Sequence, residues 1–262
     1  MEFSKHVPGT FCWVELSTTD QNAAKKFYSE LFGWSINDMP MGPDAVYTMF
    51  QLNGKEVAAA CEQQEEQTSQ GIPPNWMSYI AVENADDTAK AITAAGGSLM
   101  MEPFDVFDVG RMSVALDPTG AAFAIWQARK HIGVGVKNEH NAMCWQELMT
   151  RDVETAKKFY STVFGWDPQT KGVGTPAEYT EIYANGQPMG GMLALKAEWG
   201  DVPPHWMVYY DVADCDAYVA KAQSLGGQVH VPPTDIPNVG RFAMLQDPQG
   251  AAFYVIKLQP HS

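Results

Sequence analysis

The chain has 262 residues, a length that suits two ordinary domains, and its 45% apolar and 11% aromatic content fills real cores and excludes a disordered chain. Lys and Arg number 17 against 31 Asp and Glu, and the resulting charge of −14 repels phosphate backbones, which argues against a nucleic-acid partner. Cys12, Cys61, Cys144 and Cys215 make no CxxC pair or disulfide framework. With no basic head and apolar run at the start and no stretch of 18 apolar residues, the expectation is a cytoplasmic protein without a membrane partner.

In chain order, residues 11–17 alternate as a strand does, with Phe11, Trp13 and Glu15 on one face and Cys12, Val14 and Leu16 on the other. Asp20 is placed to cap a helix in which Ala24, Phe27, Tyr28 and Leu31 recur at helical spacing, and Gly33 is placed to end it. Short strands over 34–38, 45–50 and 56–61 follow, broken by Pro40, Gly42, Pro43 and Asn53-Gly54. The polar stretch 62–74 reads as a solvated crossover. A second βαβββ unit then has a strand over 76–82, a helix over about 85–95 and strands over 98–104, 110–116 and 121–126. The segments 101–111 and 231–241 read as acidic loops beside an open sheet.

The order then repeats. FCWVELSTTDQNAAKKFYSELFGW at 11–34 and MCWQELMTRDVETAKKFYSTVFGW at 143–166 share fifteen of 24 positions at an offset of 132. PPNW/PPHW, paired glycines at 96–97 and 226–227, VGR and DPTGAAF/DPQGAAF recur at an offset of 130. Two copies of about 130 residues make tandem domains, not a solenoid. The fold class is therefore α+β: four βαβββ modules forming two curled-sheet domains, 8–128 and 141–258, joined by a linker at 129–140. Setting one module against another closes each curled sheet, with Phe11, Trp13 and Glu15 facing one interior and Met143, Trp145 and Glu147 the other. Tyr28 and Tyr160 are expected to pack their helices on the sheets.

FY late in the first helix, FGW after it, helices ending in GG, and DPxGxxF before the last strand, each in order and twice over, resemble the vicinal oxygen chelate superfamily of glyoxalase I, extradiol dioxygenases and bleomycin-resistance proteins. More narrowly, the chain resembles tandem glyoxalase-like proteins of the hydroxylase or antigen type. The resemblance implies a divalent metal held by a His or Gln in the first strand, a carboxylate in the fourth, a His in the fifth and a Glu in the eighth. The matching positions hold Trp13, residues near Val57–Ala59, Met77 and Ala124, and in the second half Trp145, Met189–Gly191, Met207 and Tyr254. None is an imidazole or carboxylate. His205, beside one of these positions, has Asn75 as its counterpart and is read as facing the other way; it is read as a rim or structural histidine, with a metal-ligand role as the alternative. His6, His131, His140, His230 and His261 lie near termini, linkers or turns. No cofactor is expected, with a divalent metal as the alternative.

A carboxylate facing an apolar interior needs a partner. Glu15 and Glu147 either pin backbone or aromatic hydroxyl groups, pair with Arg111 and Arg241, or bind a polar part of a ligand, with proton transfer as a further role. Trp13, Tyr47, Trp76 and Trp126, with Trp145, Tyr179, Trp206 and Tyr254, either line flat-walled pockets or fill the core. Trp199 is a candidate lid. Cys12 and Cys144 share the outward period, where inert thiols are expected. The expected function is binding of a small, partly aromatic or apolar molecule without a catalytic metal, by a monomer or homodimer. The alternatives are a lyase, isomerase or dioxygenase with a divergent metal site or a Glu15/Glu147 acid–base, and a structural or interaction protein with filled interiors.

Overall fold

The computed structural model describes residues 1–42, 45–175 and 177–259; Pro43 and His261 lie outside the described residues. The first half runs β1 (Phe11–Thr18), α1 (Gln21–Phe32), β2 (Ser35–Pro40), β3 (Val46–Leu52), β4 (Lys55–Glu62), a short α2 (Glu65–Ser69), β5 (Asn75–Ala81), α3 (Ala85–Ala94), β6 (Ser98–Val106), β7 (Gly110–Leu116) and β8 (Ala122–Ala128). The second runs β9 (Met143–Thr150), α4 (Val153–Phe164), β10 (Asp167–Lys171), β11 (Tyr179–Ala184), β12 (Gln187–Ala194), a 3-10 turn (Ala197–Trp199), β13 (His205–Asp211), α5 (Cys215–Ser224), β14 (Gln228–Ile236), β15 (Gly240–Gln246) and β16 (Ala252–Leu258). Among the described residues no helix is long and apolar enough to cross a membrane.

Local chemistry sets the first helix of each half. The Asp20 and Asp152 side chains accept the amides of Ala23 and Thr155, satisfying donors that a helix N-terminus leaves free, each worth about 1 kcal/mol. Gly33 and Gly165, in the left-handed conformation, stop the helices by returning their N–H groups to Ser29 and Ser161. Ala24, Phe27, Tyr28 and Leu31 then form one buried stripe on α1.

Each half forms one eight-stranded sheet, in the order β2-β3-β4-β1-β5-β8-β7-β6 and, in the same sense, β10-β11-β12-β9-β13-β16-β15-β14. The two modules of a half join through their first strands: β1 pairs antiparallel with β5 and β9 with β13. The segments read as loops at 101–111 and 231–241 are largely strand, because β6 and β14 continue to Val106 and Ile236 before tight turns into β7 and β15. The 62–74 crossover carries α2, whose residues are all unburied.

Pairing register fixes which side chains share the concave face. It reverses one expectation at the start of β1 and β9. A bulge leaves Cys12 unpaired between Phe11 and Trp13, and a second leaves Cys144 unpaired between Met143 and Trp145. The extra residue flips the alternation, so Phe11 packs on Trp166 and Trp206 of the other half, at 5.5 and 5.1 Å between rings, and Met143 joins the core of the first.

The seam between the halves is a polar device inside an apolar core. Tyr28 donates to Asp247 Oδ2 (2.9 Å) and accepts from Trp76 Nε1 (3.2 Å); Tyr160 donates to Asp117 Oδ2 (3.0 Å) and accepts from Trp206 Nε1 (2.8 Å). The second oxygen of each aspartate holds its own DPxG turn, accepting the amides of Thr119 and Ala121 or of Gln249, Gly250 and Ala251. The two tyrosines thus do more than pack a helix on a sheet: each ties its half to the turn of the other. Trp76 and Trp206 belong to this seam and not to the sheet interiors, since one residue along a strand reverses the face from Met77 and Met207.

Candidate functional site

On the concave face of the first sheet, residues opposite one another across the strands make rows. One row reads Asn37, Met49, Ala59, Glu15 and Met77; the next reads Met101, Val114, Ala124, Tyr79 and Trp13. The corresponding rows of the second sheet read Gln169, Glu181, Gly191, Glu147 and Met207, then Val231, Met244, Tyr254, Tyr209 and Trp145. Each concave face therefore holds a glutamate on its central strand, Glu15 or Glu147, with sulfur, aromatic and small side chains beside it; the second face also carries Glu181, which is paired with Lys171 (2.7 Å) and Tyr183 (2.6 Å).

Both glutamates are held by the same relay. Trp13 Nε1 donates to the Tyr47 hydroxyl (3.2 Å), which donates to Glu15 Oε2 (2.5 Å); the Tyr79 phenol stands near this carboxyl on the same face, and Cys61 Sγ lies 3.8 Å from Oε1. In the second half Trp145 Nε1 donates to Tyr179 (2.9 Å), Tyr179 donates to Glu147 Oε2 (2.9 Å), and Tyr209 donates to Oε1 (3.0 Å). Burial raises both carboxyls above the usual glutamate range, and the tyrosine hydrogen bonds pull them only part of the way back. Burial and the adjacent glutamate push the Tyr47 and Tyr179 phenols well up, so they stay donors. A carboxyl in this setting can accept a hydrogen bond when ionised, donate one when protonated, or exchange a proton with a bound molecule.

The relay unites Trp13, Tyr47 and Glu15, and Trp145, Tyr179 and Glu147. It does not include the arginines. Arg111 makes two hydrogen bonds to Asp86 (2.7 and 2.8 Å) and one to Asp105 (3.0 Å), tying α3 to the β6–β7 hairpin; Arg241 does the same with Asp216 and Asp235. A planar guanidinium beside two surface carboxylates is already matched, so the anticipated Glu–Arg pairs do not form. His205 lies two residues from Met207 and so shares its strand face, contrary to the facing expected; its Nδ1 rests on Pro203 O at 2.7 Å, and burial lowers its pKa. Trp199 is 39% exposed on its 3-10 turn, beside Lys196. Cys12 is buried, with its thiol pushed up to about 12.

Four residues near the relay carry less signal in the sequence. Tyr79 and Tyr209 carry a signal, since both stand two residues beyond Met77 and Met207 and recur at the same offset. Cys61 has no such mark. His131, in the linker, packs edge-on against Trp13 (4.6 Å) and Trp126 (5.8 Å) and closes one end of the first concave face, with its Nδ1 3.1 Å from Glu56. The linker is anchored there by backbone bonds from Val134 to Cys12 and from Gly135 to Glu56. Two surface cavities, of about 500 and 250 Å³, lie elsewhere: one between α3 and β6, the other around His6, Val82 and Ile132.

The residues present do not fit a divalent centre of oxygen and imidazole donors. Trp13 and Trp145 offer only indole N–H groups, already donated, and the other expected ligand positions hold thioether, aliphatic or phenol groups or, at Gly190 and Gly191, no side chain. Among the described residues no three His, Cys, Asp or Glu side chains gather to hold a metal.

A family model described as the Glyoxalase/Bleomycin resistance protein/Dioxygenase superfamily matches residues 10–125 and again residues 140–255. The chain belongs to this superfamily. CFP32 of Mycobacterium tuberculosis, which carries a provisional glyoxylase name, is 45% identical over 258 residues, covering 98% of both chains. The anthracycline biosynthesis protein DauV of a Streptomyces species is 37% identical over 269 residues, covering 98% of this chain and 96% of its own. The Mn(II)-bound glyoxalase of Novosphingobium aromaticivorans has the same fold, with a TM-score of 0.66 at 17% identity over 96% of this chain and 83% of its own. The two eight-stranded sheets are thus tandem copies of the superfamily's βαβββ-paired domain.

Proposed function

We propose that this superfamily member binds a small, partly aromatic or apolar molecule on the concave side of its curled sheets, through the glutamate–tyrosine relay and without a catalytic metal. The observation that carries this reading is the relay itself. A carboxyl is kept on an apolar face by phenols and not by a cation, an arrangement that matches neutral hydrogen-bonding groups on a flat ligand. The anthracycline biosynthesis name of one relative, which points to polycyclic aromatic chemistry, supports the same ligand class.

A second reading follows from the raised carboxyl pKa values: Glu15 or Glu147 exchanges a proton with the bound molecule and makes the chain an enzyme. The first reading is tested with a panel of planar phenols, quinones and saturated controls, followed by thermal shift and ligand-observed NMR. Planar, oxygen-bearing members should stabilise the protein, and the E15Q/E147Q double variant should lose that response. A silent panel, or responses unchanged in the double variant, would overturn the reading. Chemical conversion of a responding compound, lost in the same variant, would establish the second.

A further inference from the structure

Resting on that reading, we infer that the ligand occupies the first concave face alone, and that it is a planar apolar molecule with two hydrogen-bonding groups along one edge that meet Glu15 and Ser17. The second face carries the same relay but is filled by its own side chains around the glutamate, although its Trp145 is partly exposed where the first half's Trp13 is buried. Tyr254 stands where the first half has Ala124, and its ring stacks on Tyr209 at 4.2 Å and 12°. Phe242 packs against Tyr254 at 5.9 Å, and the Tyr254 hydroxyl points to Met149 Sδ at 3.9 Å. Beneath them Glu147 is 5% and Met207 4% exposed, whereas Glu15 and Met77, the matching pair, are only partly buried.

Met149 has its own counterpart in Ser17, on the same face of β1 as Glu15. Ser17 is 9% exposed, and its hydroxyl has no hydrogen-bond partner among the described residues. A buried hydroxyl without a partner is costly, so this atom is poised for one supplied from outside the chain. Glu15 and Ser17 are two residues apart on one strand, which sets their backbone positions about 6.8 Å apart, a span that the edge of a fused-ring system covers.

The walls around this pair suit a flat apolar body. Met49, Met77, Met101 and Met112 share the face with Val114, and thioethers adapt to aromatic surfaces. Phe104, opposite Met112, and Met101 lie on the edge strand β6 and remain open, at 36% and 48% exposure. Their counterparts at the second rim are Thr234 and Val231.

The test grafts each half's own residues onto the other. With 1,8-dihydroxyanthraquinone as the probe, tryptophan quenching should report one site per chain. S17M/A124Y, which carries the second half's residues, should weaken binding at least tenfold; S17A should weaken it a few-fold; Y254A should add a second site. Circular dichroism melts check that each variant folds, and S17A and Y254A keep the test decisive if the graft does not. Binding that survives S17M/A124Y but is lost in E147Q would overturn the assignment to the first face and leave the concave-face reading standing. No response to the anthraquinone alongside responses to other panel members would overturn the ligand class proposed here. A panel silent throughout would contradict the underlying function instead.

Discussion

The seam between the halves and the concave faces of the sheets have diverged to different degrees since duplication. At the seam every part recurs: Tyr28, Trp76 and Asp247 answer Tyr160, Trp206 and Asp117, with hydrogen bonds of 2.9 and 3.2 Å in one set and 3.0 and 2.8 Å in the other. On the concave faces the glutamate relay recurs, but its surroundings do not. Ala124 has Tyr254 as its counterpart, Ser17 has Met149, and Ala59 has Gly191, where a side-chain carbon would strike the Tyr179 ring. Symmetry persists where two copies must hold each other, and it breaks where one copy can fill its interior and the other need not.

The largest expected effect breaks this comparison at the seam. W76A and W206A should each cost about 3–5 kcal/mol in urea unfolding, as removal of a buried aromatic ring does. Equal losses in the two would confirm their shared structural role, and an altered ligand affinity without loss of stability would place Trp76 on a pocket wall instead. Next, D117A and D247A remove the acceptor for a buried phenol and several turn amides, at about 1–3 kcal/mol per group left unpaired. The two variants should lose similar stability, since their networks match.

A pH series sharpens the concave-face side. Because the folded carboxyls titrate above their unfolded values, their contribution is fully present below the ordinary glutamate range and is lost as pH rises through the raised value. E15Q and E147Q lack this loss, so each should gain stability relative to the parent chain as the pH is raised from 4 to 8. A difference between variant and parent that stays flat with pH would contradict the raised carboxyls. The smallest effect is expected from R111A and R241A, which remove surface ion pairs between a helix and a hairpin and should leave ligand response untouched.

The sequence made the architecture legible because two signals agree. Strand and helix periods delimit βαβββ units, and the long internal repeat sets them in register. The placement of Trp13, Glu15, Tyr47 and their partners on one face is likewise legible, since alternation and recurrence in both halves mark that face. What escaped depends on single-residue shifts and on distant parts of the chain. The bulges at Cys12 and Cys144 reverse the face of Phe11 and Met143, and no composition signal announces an unpaired residue. Trp76 sits one residue from Met77, so an aromatic that looks suited to a pocket lies on the opposite face. Charge alone points Arg111 toward Glu15, although Asp86, 25 residues before it, is its partner in space. The linker's His131 reaches Trp13 only because the chain doubles back over β1, a path that local patterns do not encode.

The most direct test of the asymmetry between the two concave faces uses methionine methyl groups as reporters. With the protein labelled at the methionine methyl carbons, 1,8-dihydroxyanthraquinone is titrated and the signals are followed by NMR, with each assigned by substitution. Signals of Met77, Met101 and Met112 should shift while those of Met149, Met207 and Met244 stay in place. Shifts confined to Met149, Met207 and Met244 would contradict the assignment to the first face.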